Sequence, residues 1–436
     1  MKSKWIIASV LIVVLIGLCA ASLFATWQGL QMAQAGGVRF RGVRVATISG
    51  QMTEEKLLTV NGPVDLSVQN DMGNISVQAG VDGQVHVTSE KIAWGIGTAD
   101  AQAALKDIKV IIVQKGNQIS ISVQQPTEVD MLHVVPGAGS VKFTITVPKE
   151  TAATLHSSNG DVSLDGTTGP ADLRSDFGTI TATGVTGTLL AKSTNGDVTA
   201  RSITSTGPIT LSSDFGSLKL DTAKGSDVTV SSNNGKIVLT QVAAGGILTV
   251  EDQFGDIDIS SSQAAAAKAK SNNGTLQLDK LAISGNVNAQ SDFGTLILTG
   301  VDAGSYDLTT RNGKISLDGA RGAIKAHSDM GDVSVSNAQN ATLDLSSNNG
   351  AVSFSGSLGA GPHSVSSDFG NIQLTLPADT ALNADLQTDF GKVSSDFSFT
   401  IQGARDDNHW VGTINGGGAA LTVKTNNGNI DLQSSK

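Results

Sequence analysis

A chain of 436 residues with 50 glycines but only 12 Phe, 4 Trp and 1 Tyr has little aromatic mass for the core of a large globular enzyme, and 39 % hydrophobic residues is too much for a disordered chain. The net charge of −10, from 39 acidic and 29 basic residues, argues against nucleic acid as a partner, because that calls for clustered Lys and Arg. The single cysteine, Cys19, rules out an internal disulfide framework.

The first element is an almost unbroken apolar run from Trp5 to Trp27 behind Lys2 and Lys4. It is long enough to span a bilayer as a helix, and longer than the apolar region of about 7–15 residues usual in a cleaved signal peptide. Length therefore favours an uncleaved anchor. Ala33-Gln34-Ala35 before Gly36 has the small-residue form of a cleavage site, and Cys19 is placed as in a lipoprotein signal, although Leu18 stands where a small residue is wanted. Each of the three readings puts the remainder of the chain outside the cytoplasm. Residues 1–35 are taken as signal anchor and linker. Residues 36–150, with strand-like stretches at Asp65–Val68 and Val141–Val147 and a helix at Thr98–Lys106 that Thr98 can cap, are taken as a β-rich cap.

The body is an internal repeat. A tetrapeptide ending in glycine recurs at Gly160, Gly178, Gly196, Gly216, Gly235, Gly255, Gly274, Gly294, Gly313, Gly331, Gly350, Gly370 and Gly391, at spacings of 18 to 21. Gly428 follows after 37, read as two periods with one degraded copy, and Asn70-Asp71-Met72-Gly73 is a weaker early copy. Apolar residues alternate on both sides of each glycine, as at Ile209 and Leu211, then Leu218 and Leu220. Period-two alternation over short stretches marks strands with one buried face, and units this short must stack. The expected fold is all-β, a parallel β-solenoid, with regular repeats over residues 151–391 and a C-terminal end over 392–436.

The repeats alternate in kind. Asn159, Asn195, Asn234, Asn273, Asn312 and Asn349 mark one type; Phe177, Phe215, Phe254, Phe293, Met330 and Phe369 mark the other. Like residues gain by stacking at the interstrand spacing of about 4.8 Å. A coil of 38 residues would give one Asn ladder and one Phe ladder, whereas a 19-residue coil would alternate Asn with Phe in each stack and form neither. The 38-residue coil, in a block of roughly 30 Å, is therefore the preferred expectation, with 19-residue coils as the alternative.

The stretch from Phe143-Thr144-Ile145-Thr146-Val147-Pro148 to Ser158-Asn159-Gly160-Asp161-Val162 resembles the bacterial putative-adhesin β-strand-repeat family, a domain of unknown function. So does the close of the chain, Gly416-Gly417-Gly418 followed by Leu421, Val423 and Thr425-Asn426-Asn427-Gly428-Asn429-Ile430. The resemblance spans about residues 56 to 436. It implies a surface β-solenoid, often behind a membrane segment. The regular Asp-Phe-Gly alternation departs from that family's pattern.

Asp-Phe-Gly is also a kinase metal-binding motif, but here it recurs at a fixed period without a nucleotide loop or a His-Arg-Asp segment. A polysaccharide-acting β-helix enzyme needs paired carboxylates in a groove, yet Glu251 is the only Glu from residue 151 onward, and through Gly391 no long insertion breaks the period to wall a cleft. His86, His133, His156, His327, His363 and His409 lack metal-ligand spacing and read as surface residues. Asp176, Asp214, Asp292, Asp329 and Asp368, with Asp252 one residue earlier in its motif, would line up about 5 Å apart in a 38-residue coil, a stack that a divalent cation could relieve. Solvated, turn-capping carboxylates are the favoured alternative, so no catalytic, cofactor or metal residue is assigned. The expected function is a non-enzymatic, membrane-tethered, adhesin-like binding or spacer module, with a surface glycan or a protein as ligand. The alternatives are an envelope structural or stress component working through a protein partner, and an enzyme. Trp410 beside His409 is the sequence candidate for an exposed aromatic patch.

Overall fold

The computed structural model describes residues 39–40, 43–44, 48–125, 139–402 and 406–435. The apolar run from Trp5 to Trp27, Ala33-Gln34-Ala35 and His133 lie outside them. Among the described residues no helix is long and apolar enough to cross a membrane.

From Thr151 to Pro377 the chain winds through twelve layers of a parallel β-solenoid, one for each repeat glycine from Gly160 to Gly370. Each turn has two principal strands, for example Ile209–Phe215 and Leu218–Gly225, joined at the repeat glycine. One turn is one repeat, not two. Val162 pairs with Ile180, Ile180 with Val198, and Val198 with Leu218, so neighbouring layers are 18 to 20 residues apart. The coil is thus 19 residues rather than 38. Nineteen residues at about 3.3 Å make a circuit of about 60 Å, enough to enclose one layer of apolar side chains between sheets about 10 Å apart. Val162, Ile180, Val198, Leu218, Ile237 and Ile257 form one such buried column, each at 0–1 % exposure. A core this thin has little room for aromatic rings, which accounts for their scarcity in the sequence.

Two corners have defined chemistry. At the first, the repeat glycines stack directly, and a Cβ built on Gly313 would lie 1.8 Å from the Gly294 carbonyl oxygen. No side chain fits there. At the second, one residue per layer adopts a left-handed conformation, glycine at Gly166 and Gly184 and then Ser202 (φ 55°), Thr222 (φ 54°) and Gln241 (φ 55°). That conformation costs a non-glycine residue roughly 1–2 kcal/mol, so the bend is imposed by the stack rather than by local preference.

At both ends the layer order departs from the chain order. Val64–Met72 and Ile75–Ala79 lie between the later strands Gln118–Gln124 and Ser140–Val147 on one side and the first regular turn on the other. At the far end, Ala419–Thr425 and Ile430–Ser435 insert between the turn at His363–Pro377 and the turn at Leu382–Ser395. The 37-residue interval before Gly428 is therefore not a degraded coil. It holds Phe399–Ile401 and His409–Ile414, which pair antiparallel with each other, and the latter also pairs antiparallel with Leu382–Thr388. Antiparallel strands likewise close the other end, where Gln84–Gly95 joins Ser140–Val147 to Ile48–Thr59. These additions cover sheet edges that would otherwise invite a further strand. The helix Thr98–Asp107 packs here through Ala101 and Leu105, and its N-cap is Gly97, with no side-chain cap from Thr98.

Candidate functional site

The repeat-glycine corner carries the most regular surface of the molecule. Because layers stack in register, with Asn159 opposite Phe177 and Phe215 opposite Asn234, the residue before each glycine forms a single file. In layer order it reads Met72, Asn159, Phe177, Asn195, Phe215, Asn234, Phe254, Asn273, Phe293, Asn312, Met330, Asn349, Phe369, Asn427, Phe390. The alternation runs without a break through fifteen layers. In the sequence it fails at Phe369 and Phe390, which are consecutive copies. Insertion of the C-terminal turn places Asn427 between them and restores it.

The expected Phe ladder therefore does not form, since the rings are two layers, about 9.6 Å, apart. Among the described residues the one ring–ring contact is Phe399 with Trp410, edge to face at 5.7 Å. The six phenylalanines of the file are 56–61 % exposed, apart from Phe390 at 78 %, and Met330 is 57 % exposed. Several of the intervening Asn side chains turn back onto the stack. Asn195 Nδ2 donates to the Asp176 carbonyl oxygen and Asn349 Nδ2 to that of Asp329.

Beside this file runs the aspartate column, and its carboxylates too are separated by an intervening layer. Asn233 Nδ2 donates to Asp214 Oδ1 at 3.0 Å, Asn348 Nδ2 to Asp329 Oδ1 at 3.1 Å, and Arg311 lies 3.6 Å from Asp292. Neutral or cationic partners thus interleave the carboxylates. This removes the 5 Å like-charge stack on which a cation site would have rested, and among the described residues no group of three His, Cys, Asp or Glu side chains could hold a metal ion. The 19-residue coil gives the alternation a chemical reason: each Asp of the column sits against a neutral or cationic residue instead of another Asp.

Behind the file lies a buried hydroxyl column that the sequence pattern does not single out. Thirteen Ser or Thr residues, three positions before their glycines, donate to the glycine carbonyl of the adjacent layer at 2.7–3.4 Å. Asp252 replaces the hydroxyl in one layer. It is 3 % exposed, its Oδ2 has no partner, and burial pushes its pKa up to about 6. Asp252 is thus inside the wall rather than in the surface aspartate column.

Other candidates fall elsewhere. Trp410 is buried at 6 % exposure against Phe399 and donates Nε1–H to the Asp406 carbonyl, so it is a packing residue rather than an exposed patch. His409 pairs with Asp385, His327 with Asp329, His156 with Asp176 and His86 with Glu55. His363 is not a surface residue. It is 2 % exposed in a core column between Leu343 and Leu421, accepts the Leu343 N–H at Nδ1, and burial holds its pKa below the usual value. A shallow groove along the turns is lined by small and apolar groups, Gly225, Ala244, Ala264 and Ile283 among them, together with the polar residues Lys224, Gln263, Ser284 and Asp302.

The family model described as Toastrack DUF4097 matches residues 65–284 and 268–433. None of the curated proteins matches the chain. Among solved structures, the chain is similar to a "putative cell adhesion protein" from Clostridium sporogenes at 10 % identity, covering 88 % of this chain and 100 % of that one, with a TM-score of 0.16. It is also similar to a "putative adhesin" from Bacteroides fragilis at 16 % identity, covering 70 % and 97 %, with a TM-score of 0.19. Neither likeness, at these scores, bears on activity.

Proposed function

The chain belongs to the Toastrack DUF4097 family, and on that footing we propose that it is a non-enzymatic, adhesin-like binding module whose adhesive surface is the Phe/Asn corner. One observation carries the reading. Asn occupies the same corner position in every second layer, so the fold has no need of a ring there, yet six phenylalanines and Met330 stand 56–78 % exposed in one file. Exposed apolar side chains gathered in a row, not scattered singly, are the usual mark of a contact surface. The apolar run from Trp5 to Trp27 supports tethering to a membrane with the solenoid on the outside.

The test exploits the Asn layers. Replacing Phe177, Phe215, Phe254, Phe293 and Phe369 by Asn is expected to leave the melting temperature within a few degrees of the parent while abolishing adhesion to cell surfaces. Equal adhesion by both proteins would refute the reading.

A further inference from the structure

We infer that the Phe/Asn corner binds an extended β-1,4-linked hexopyranose polysaccharide, one exposed ring to each disaccharide; this rests on the corner being the adhesive surface. The first ground is pitch. Rings recur every second layer, about 9.6 Å, and in an extended β-1,4-linked chain the same sugar face recurs every second residue at a closely similar repeat. A strand of polypeptide repeats its face every two residues, about 6.6–6.8 Å, and is about 3 Å out of step at the very next ring.

The second ground is the polar company of the rings. On one side lie Asp176, Asp214, Asp292 and Asp329, whose side chains are roughly half exposed or less, and between the rings lie Asn amides. Carboxylate and amide oxygens that accept hydroxyl protons, next to an apolar face, match the two chemistries of a pyranose: C–H groups on its faces and hydroxyls at its rim. An amphipathic helix, which needs an apolar stripe about 100° wide, meets only a single file. An anionic membrane surface meets a column of like charge.

The third ground is continuity. The file keeps its alternation where the chain order does not, because Asn427 lies between Phe369 and Phe390. Eight apolar side chains from Met72 to Phe390 are thereby held in one continuous file, which suits a polymer better than a small ligand.

The experiment titrates the detergent-solubilised full chain with cellobiose, cellohexaose and chitohexaose by calorimetry. A hexasaccharide covers three rings, so at least tenfold tighter binding than the disaccharide is expected, with that gain lost when Phe177, Phe215, Phe254, Phe293 and Phe369 are all replaced by Asn, which leaves no two neighbouring apolar positions in the file. No binding, or binding without dependence on length or on the rings, overturns the inference. Ring-dependent capture of phosphatidylcholine–phosphatidylglycerol vesicles or of a protein, without oligosaccharide binding, also overturns it but leaves the adhesive corner standing. Ring-independent cell adhesion removes the adhesive corner itself.

Discussion

Asp252 and His363 are buried ionisable side chains whose charged forms conflict with the layers that hold them, and they oppose one another in pH. Asp252 has a folded pKa raised to about 6 from 3.8. Its neutral form is the one the fold accepts, so its contribution is whole below pH 3.8 and lost as pH rises through about 6. Asp252→Ser restores the hydroxyl found in thirteen other layers and, by urea unfolding, is expected to stabilise the protein at pH 7.5 by up to about 3 kcal/mol, the limit set by a shift of about two pKa units. The gain should vanish near pH 4. His363 has a lowered pKa because burial disfavours its cation. Its contribution is present above its unfolded value of 6.5 and is lost as pH falls through the lower folded one. In the Asp252→Ser background, His363→Leu should flatten the stability profile between pH 7 and 5, Leu being the residue of the neighbouring layers at Leu343 and Leu421. A profile unchanged by this substitution would show that the pKa of His363 is the same folded and unfolded.

At the scale of one element, the turn is held by its corners as much as by its strands. The glycine corner has no room for a methyl group, since the nearest obstacle to a Cβ at Gly313 is backbone at 1.8 Å. Gly313→Ala must therefore push two layers apart or break the hydroxyl bond that Thr310 makes to the Gly294 carbonyl at 3.1 Å. A loss of about 2–4 kcal/mol is expected in denaturant unfolding, in the range of other substitutions that overpack a buried site or cut its hydrogen bonds. The same methyl at Gly116, where nothing lies within 4 Å, meets no steric obstacle. Its φ of 62° still costs Ala about 1–2 kcal/mol, which makes it the control for conformation without clash. The spacing of the glycines was legible in the sequence because this steric demand recurs every turn. The hydroxyl column was harder to see, because Ser and Thr abound throughout the chain and only contact with the next layer's carbonyl distinguishes these thirteen.

For the whole molecule, the order of layers matters more than their number. In a simple solenoid the last turn contacts one neighbour and its removal leaves the remainder intact. Here the last turn of the chain, Ala419–Ser435, has neighbours on both sides. Ending the chain after Gly418 takes out an interior layer and strands Leu382–Ser395 from the stack. Limited proteolysis should then find residues 378–418 cleaved rapidly, with a lower melting temperature for the entire solenoid. A truncated chain as resistant as the parent would refute the insertion. The closed ends also fix the length: fifteen layers in the glycine column give roughly 67 Å, a rod rather than a block of roughly 30 Å.

Alternating apolar residues and periodic glycines were enough to determine the solenoid from the sequence alone, since period two buries one face and a repeat too short to fold alone must stack. The size of the coil was not decided there. Ladders of like residues are favourable in isolation, but the carboxylates beside Phe177, Phe215 and Phe293 would repel one another in such a ladder, and a 19-residue turn places a neutral or cationic layer between them. Which layers become neighbours is likewise a tertiary matter. Phe369 and Phe390 are adjacent copies along the chain, and only the inserted turn with Asn427 shows that the alternation belongs to the stack and not to the sequence order.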